Sequence, residues 1–278
     1  MLSCGIIAVF LASLIKRPTR RLLGDSGLVR RNYAGKLIPT SEGVIFVIAA
    51  FWAVMITEIG NGITAQEARM NLSCLMLTVG SSFVGLVDDV YGSHVSRGIA
   101  GHIKAFLKEK RITTGIIKAV AIWLLAAVSV TLSAAGIHNL FTLIFDATLI
   151  SLAANFMNLL DLRPGRSVKA FFIILVLLIA YDSRSPAAPV PVGLAGAVLA
   201  GLSDELREQC MMGDAGANPL GAALGYWVAV SLSSFTRVFV LLSLISVHIY
   251  SERRSLSKVI DGNSILRFID RLGRSQHS

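Results

Sequence analysis

Apolar residues run along this chain in blocks rather than in alternation. Nine blocks stand out, at 1–15, 43–59, 69–87, 116–135, 139–157, 170–181, 188–202, 220–232 and 235–250. Most approach the roughly 20 residues that a helix needs to cross a hydrocarbon layer about 30 Å thick. A helix on the surface of a soluble domain would instead carry polar residues at every third or fourth position. The pattern therefore predicts an all-α fold: a polytopic transmembrane helical bundle of about nine helices, with eight to ten as the range. The stretch 220–250 is long for one helix and short for two, and is expected to turn near Ser233-Ser234. Residues 1–250 read as a single transmembrane domain and 251–278 as a tail.

Charge sharpens this picture. Only 15% of residues are charged, against about 25% in an average soluble domain. Basic residues outnumber acidic ones, 26 to 17, and they fall in particular loops. The segments 16–42, 88–118, 159–169, 203–219 and 251–278 hold every Lys and Arg except Arg69, Arg184 and Arg237. Because Lys and Arg accumulate in cytoplasmic loops, these segments are assigned to the cytoplasmic side of a plasma membrane. Confinement to loops makes the excess a matter of topology and of anionic membrane lipids, and nucleic acid is not an expected partner. The basic tail stays on that side only if 220–250 crosses twice. The first block is followed by Lys16-Arg17, the reverse of a secretory leader's flanks, so it is expected to remain as a first helix. Cys4, Cys74 and Cys210 stand apart and suggest neither a disulfide framework nor a zinc site. In the tail, Ile265, Phe268, Ile269 and Leu272 share a helical face, with Arg267, Asp270, Arg271 and Arg274 elsewhere. Such an amphipathic helix can lie on a membrane surface or dock against the loops.

Four polar clusters share the predicted cytoplasmic side. The first, Asn32 to Gly43, offers Lys36 and Thr40 to an anionic group. The second contains Asp88-Asp89 at the end of the third block. Neighbouring carboxylates at a membrane edge are costly unless solvated, paired or bound to a cation. The third places Asn155, Asn158 and Asp161 three residues apart, on one face if the helix persists, and runs on to Arg163 and Arg166. Amides in an apolar run need partners, either neighbouring helices or a ligand. The fourth, Gly213-Asp214-Ala-Gly216, is a glycine loop able to present a carboxylate and free N–H groups to phosphate. Taken alone, each cluster has a structural reading as a helix end or turn. Together they suit metal-assisted phosphoryl chemistry on a lipid-borne substrate. No HExxH or Walker A sequence is present.

In order and sidedness these motifs resemble those of the polyprenyl-phosphate N-acetylhexosamine-1-phosphate transferases, the family of phospho-N-acetylmuramoyl-pentapeptide transferase. The resemblance spans about Asn32 to Gly221. It implies transfer of a sugar-1-phosphate from a UDP-sugar to undecaprenyl phosphate, releasing UMP, with Mg²⁺ as cofactor and Mn²⁺ as its substitute. It further implies that Asp88, Asp89, Lys104 and Asp161 are catalytic and that Asp214 and Asp161 hold the metal. Lys36, Thr40, Asn155, Asn158, Arg163, Arg166, Gly213 and Gly216 would bind substrate. The partners implied are the polyprenyl phosphate lipid and a nucleotide sugar, and a homodimer is compatible with it. The chain departs from the family at Asp161-Leu-Arg-Pro164-Gly165, where a second acid is common, and near Ser251–Ser255, where many members carry histidines. A catalytically silent relative that binds or assembles envelope-polymer machinery is the alternative reading. A transporter is the other, although the acids gather at one membrane edge rather than at its middle.

Overall fold

The structure is a computed structural model that describes residues 1–92, 110, 112–133 and 139–274. Helices dominate it: α1 (Leu2–Asp25), α2 (Gly43–Asn61), α3 (Ala65–Tyr91), α4 (Thr114–Ser133), α5 (Leu140–Leu160), α6 (Arg166–Tyr181), α7 (Pro189–Leu206), α8 (Asp214–Ser231) and α9 (Ser234–Arg253), followed by the short α10 (Leu256–Gly262) and α11 (Ser264–Arg271). Six of them, α1 to α5 and α9, are long and apolar enough to cross a membrane. Large apolar side chains such as Trp52, Phe83, Phe141, Leu177 and Phe239 stand exposed around the bundle. In water such a surface would be an aggregation liability, whereas lipid covers it without cost. The protein is thus a largely helical bundle of the polytopic membrane kind.

Three local departures from the apolar pattern have physical causes. First, α1 does not stop at residue 15 but continues through Lys16 and Pro18 to Asp25. Two of its cations find partners on neighbouring helices. Lys16 Nζ donates to the Ala200 carbonyl at 2.9 Å, and Arg20 bridges Glu42 at 2.6 Å and Asp204 at 2.8 Å. Second, the fold is not purely α. Val29–Arg31 (β1) and Leu37–Pro39 (β2) form an antiparallel hairpin with Arg30 opposite Ile38. Its turn is built by Asn32, whose side-chain oxygen accepts from the backbone N–H groups of Ala34 and Lys36, and by Gly35 at a positive φ of 82°. Third, the amphipathic tail forms two short helices rather than one, interrupted at Asn263, which caps the second. The stretch 220–250 breaks at Leu232 and Ser233, and the Ser233 hydroxyl caps α9 by accepting from Thr236 N.

Helix α8 is the hub. Every residue from Ala215 to Ala229 is buried, and α2, α3, α4, α5, α6 and α7 all pack on it. Small residues allow this crowding, because the backbones themselves meet. A Cβ added to Gly43 would lie 2.1 Å from the Cα of Gly216, so α2 and α8 touch main chain to main chain.

Overpacking of about one methyl at such a contact costs roughly 1–3 kcal/mol. Gly43→Ala should therefore lower the melting temperature of the detergent-solubilised protein by several degrees. Gly60→Ala, in the same helix with nothing within 4 Å of the new Cβ, should leave it unchanged or slightly raised. Equal melts for the two variants would refute the close α2–α8 approach.

Candidate functional site

The polar helix ends meet at one end of the bundle. There the two adjacent acids of α3 part company, since neighbouring helical residues point about 100° apart. Asp89 turns inward and is buried. It accepts from the Ser41 hydroxyl at 2.8 Å and from the backbone N–H groups of Asp214 and Ala215 at 3.2 Å each. Arg30 reaches over the same turn and donates to the Asp89 carbonyl. Asp89 thus closes the N-terminus of α8, whose first N–H groups have no acceptor within their own helix. Gly213 permits this fit. It holds a φ of 69°, and a side chain there would collide with the Asp89 carboxylate. Gly216, read in the sequence as phosphate-facing, instead packs on Gly43.

Asp88 turns the other way, to Lys118 near the start of α4. The Lys118 ammonium donates to Asp88 at 2.7 Å and also to the carboxylate of Asp214. Asn158, near the end of α5, joins them. With its amide oriented to suit both neighbours, it donates to Asp214 at 2.6 Å and accepts from Lys118 at 3.2 Å. Residues from four helices, distant in sequence, therefore share one small polar knot.

Beside it lies a cavity of about 650 Å³, a size suited to a small-molecule ligand. Its lining mixes both signs of charge. Arg30, Arg31 and Arg163 face it together with Asp89, Asp161, Glu205 and Asp214. The β-hairpin covers part of it and is tied down at Glu208, which accepts from Tyr33 Oη at 2.6 Å and Asn32 Nδ2 at 3.0 Å. The loop after α7 adds backbone bonds to the same hairpin, with Met211 N donating to the Pro39 carbonyl. Asp161, just past the end of α5, opens onto the cavity while protein surrounds its other sides. Burial first, and then the charges of Glu205, Asp214 and Asp89, push its carboxyl well above the usual carboxylate range.

The predicted site residues are therefore sorted by the tertiary structure. Asp88, Asp89, Asn158, Asp161, Asp214, Gly213 and Thr40 converge on the knot or the cavity. Asn155 lies one turn before Asn158, outside the cavity lining, and Lys36 is exposed in the hairpin turn. Arg163 borders the cavity but stacks over Tyr33 and pairs with Asp261 at 3.4 Å. Arg166 is buried against Asp270 of the tail, at 2.7 Å, rather than turned to the cavity. Lys104 lies outside the described residues, as do His94, Arg97 and His102. Lys118 is the residue that sequence reasoning missed, because it falls where the charged segment 88–118 overlaps the apolar block 116–135. The available signal was an ionisable residue inside the apolar run 114–133, which requires a partner.

Among the described residues, no three or more His, Cys, Asp or Glu side chains stand at metal-holding spacing. Two hard carboxylates, Asp161 and Asp214, do line the same cavity, near enough that the charge of Asp214 helps raise the Asp161 carboxyl. That donor set fits Mg²⁺, which takes one or two protein carboxylates and completes its shell with water and phosphate oxygens. No protein-family model matches the chain, and no curated protein matches it.

Two outcomes follow from this geometry. Asp89→Ala strips the α8 N-terminus of its acceptor and should cost about 1–3 kcal/mol in detergent melts. Asp88→Asn leaves Lys118 paired with Asp214 and should cost under about 1 kcal/mol; the reverse order would contradict the division of roles. For Asp161, a carboxyl raised on folding binds its proton more tightly in the folded state. Its contribution favours the fold at acid pH and is lost as pH rises from the ordinary carboxylate range through the raised value. Measured with EDTA present, Asp161→Asn should gain stability over the parent as pH rises through that interval. A pH-independent difference would show that the carboxyl is not raised.

Proposed function

We propose that the protein is an integral membrane phosphotransferase that moves a sugar-1-phosphate from a UDP-sugar to undecaprenyl phosphate. A phosphate oxygen of the lipid attacks the sugar-linked phosphorus of the donor. The bond from that phosphorus to the bridging oxygen breaks, and UMP leaves with that oxygen. The observation that carries this reading is the convergence of Asp88, Asp214, Asn158 and Lys118 from four helices beside a cavity lined by Asp161 and three arginines. Phosphoryl transfer is achieved chiefly by positioning and charge neutralisation, and this arrangement offers both.

In this reading Asp88 stands at the lipid phosphate as its proton acceptor, and Lys118 answers charge on the diphosphate. Asn158 fixes the orientation of the Asp214 carboxylate. Asp214 and Asp161 would hold Mg²⁺, which supplies neutralisation of the bridging diphosphate when bound. Arg30 and Arg31 offer positive charge to the nucleotide phosphates within the cavity. Asp89 acts as a positioning residue, since its carboxylate is committed to α8. The reading takes α1 to α9 as nine crossings of a bacterial plasma membrane, with the site and the tail on the cytoplasmic face. The distribution of Lys and Arg supports that orientation.

The test is UMP release by purified protein with undecaprenyl phosphate, Mg²⁺ and a panel of UDP-sugars. Product should require both lipid and metal. Asp214→Asn, Asp88→Asn and Lys118→Met should each lose at least about a hundredfold in turnover, the scale of losing one preorganised electrostatic contact in a transition state. Silence across the panel from folded protein would overturn the reading and leave a binding role.

A further inference from the structure

The tail is fastened by one face and bare on the other. Helix α9 ends at Arg253, and only Arg254 and Ser255 separate it from α10. The tail therefore begins at the level at which α9 ends. It is fixed there by Asp270, which is buried and accepts from Arg166 Nε and Arg274 Nη2, each at 2.7 Å. Lys169 Nζ donates to the Asp270 carbonyl at 2.7 Å, Arg166 also donates to the Ser257 hydroxyl, and Arg274 donates to the Pro164 carbonyl. Arg166 and Lys169 belong to the first turn of α6, so α11 lies where that apolar helix begins.

The opposite face carries Ile265 and Phe268 of α11 and Leu272 just past its end, which are 71%, 68% and 57% exposed. Positions 265, 268 and 272 follow helical spacing and form one apolar stripe. Arg267 and Arg271 lie along one side of it, one turn apart and exposed, and Lys258 is exposed on α10. An apolar stripe bordered by unburied basic groups, held at the level where membrane helices end, has the chemistry of an interfacial anchor. Charge selects the occupant, because arginines beside the stripe complement an anionic headgroup layer.

We infer that α11 is seated in the headgroup region of an anionic bilayer leaflet. Ile265, Phe268 and Leu272 enter the acyl boundary, and Arg267 and Arg271 meet lipid phosphates. The salt bridges behind the helix give the seat a consequence. Arg163 pairs with Asp261 of α10, and Arg274 holds the carbonyl of Pro164, while Arg163 and Pro164 line the cavity. Lipid contact at α11 thus braces one wall of the cavity. The inference rests on the membrane bundle and not on the transferase reading.

Nitroxide labelling of Phe268→Cys in the full chain, in lipid nanodiscs with and without phosphatidylglycerol, tests it. Phe268 is exposed, so the label does not disturb packing. In discs with the anionic lipid, oxygen should collide with the label several-fold more often than a water-soluble nickel chelate does. Replacing Arg267 and Arg271 by Gln should remove the dependence on phosphatidylglycerol while the protein still melts as the parent does. A label at 268 that favours the nickel chelate in both discs would overturn the proposal. So would indifference to anionic lipid, and so would spin–spin broadening, which would show a second copy of the chain covering the face.

Discussion

The N-terminus of α8 lies inside the protein, and the structure around it follows from what its backbone requires. Buried N–H groups left without acceptors cost several kcal/mol each in an apolar medium, so a helix that starts in the interior must bring its acceptor with it. Asp89 is that acceptor. Its position on α3 fixes α3 against α8, its contact with Ser41 fixes the start of α2, and the meeting of Gly43 with Gly216 brings those backbones together. The side chain that looks most like half of a catalytic pair is a fastening on which the other half depends.

With Asp89 committed, the adjacent carboxylate is free to do something else. Asp88 and Asp214 would repel one another in a medium of low dielectric, and Lys118 resolves the conflict by bonding to both. Such a knot holds unlike charges in fixed positions next to a cavity that already mixes arginines with acids. Preorganised charge of this kind can stabilise a migrating phosphoryl group without reorganising at the moment of reaction. This is why the proposed transferase chemistry rests on the knot rather than on any single motif.

The tail belongs to the same electrostatic economy. Arg166 and Asp270 are both buried, and a pair of that kind is retained only when each charge is fully answered. Arg274 and Lys169 supply the remaining contacts, so the tail is integrated with the loop after α5 instead of trailing from α9.

How much of this was legible beforehand depends on whether the signal was local. The helices, their approximate limits and the break at Leu232–Ser233 followed from the apolar blocks, because the thickness and dryness of a bilayer impose block length directly on sequence. The grouping of Asp88, Asn158, Asp161 and Asp214 at one end followed from counting crossings. The sequence could not say that Asp89 serves a backbone, that Arg166 serves the tail, or that Lys118 rather than a more polar loop residue completes the knot. Hydropathy also gave no hint that Lys16 and Arg20 continue a helix, since their partners lie on α2 and α7. A periodic pattern reports the medium around each segment. The direction of an individual charge is set by which opposite charge the packing brings within reach, and that is decided only when all the helices have met.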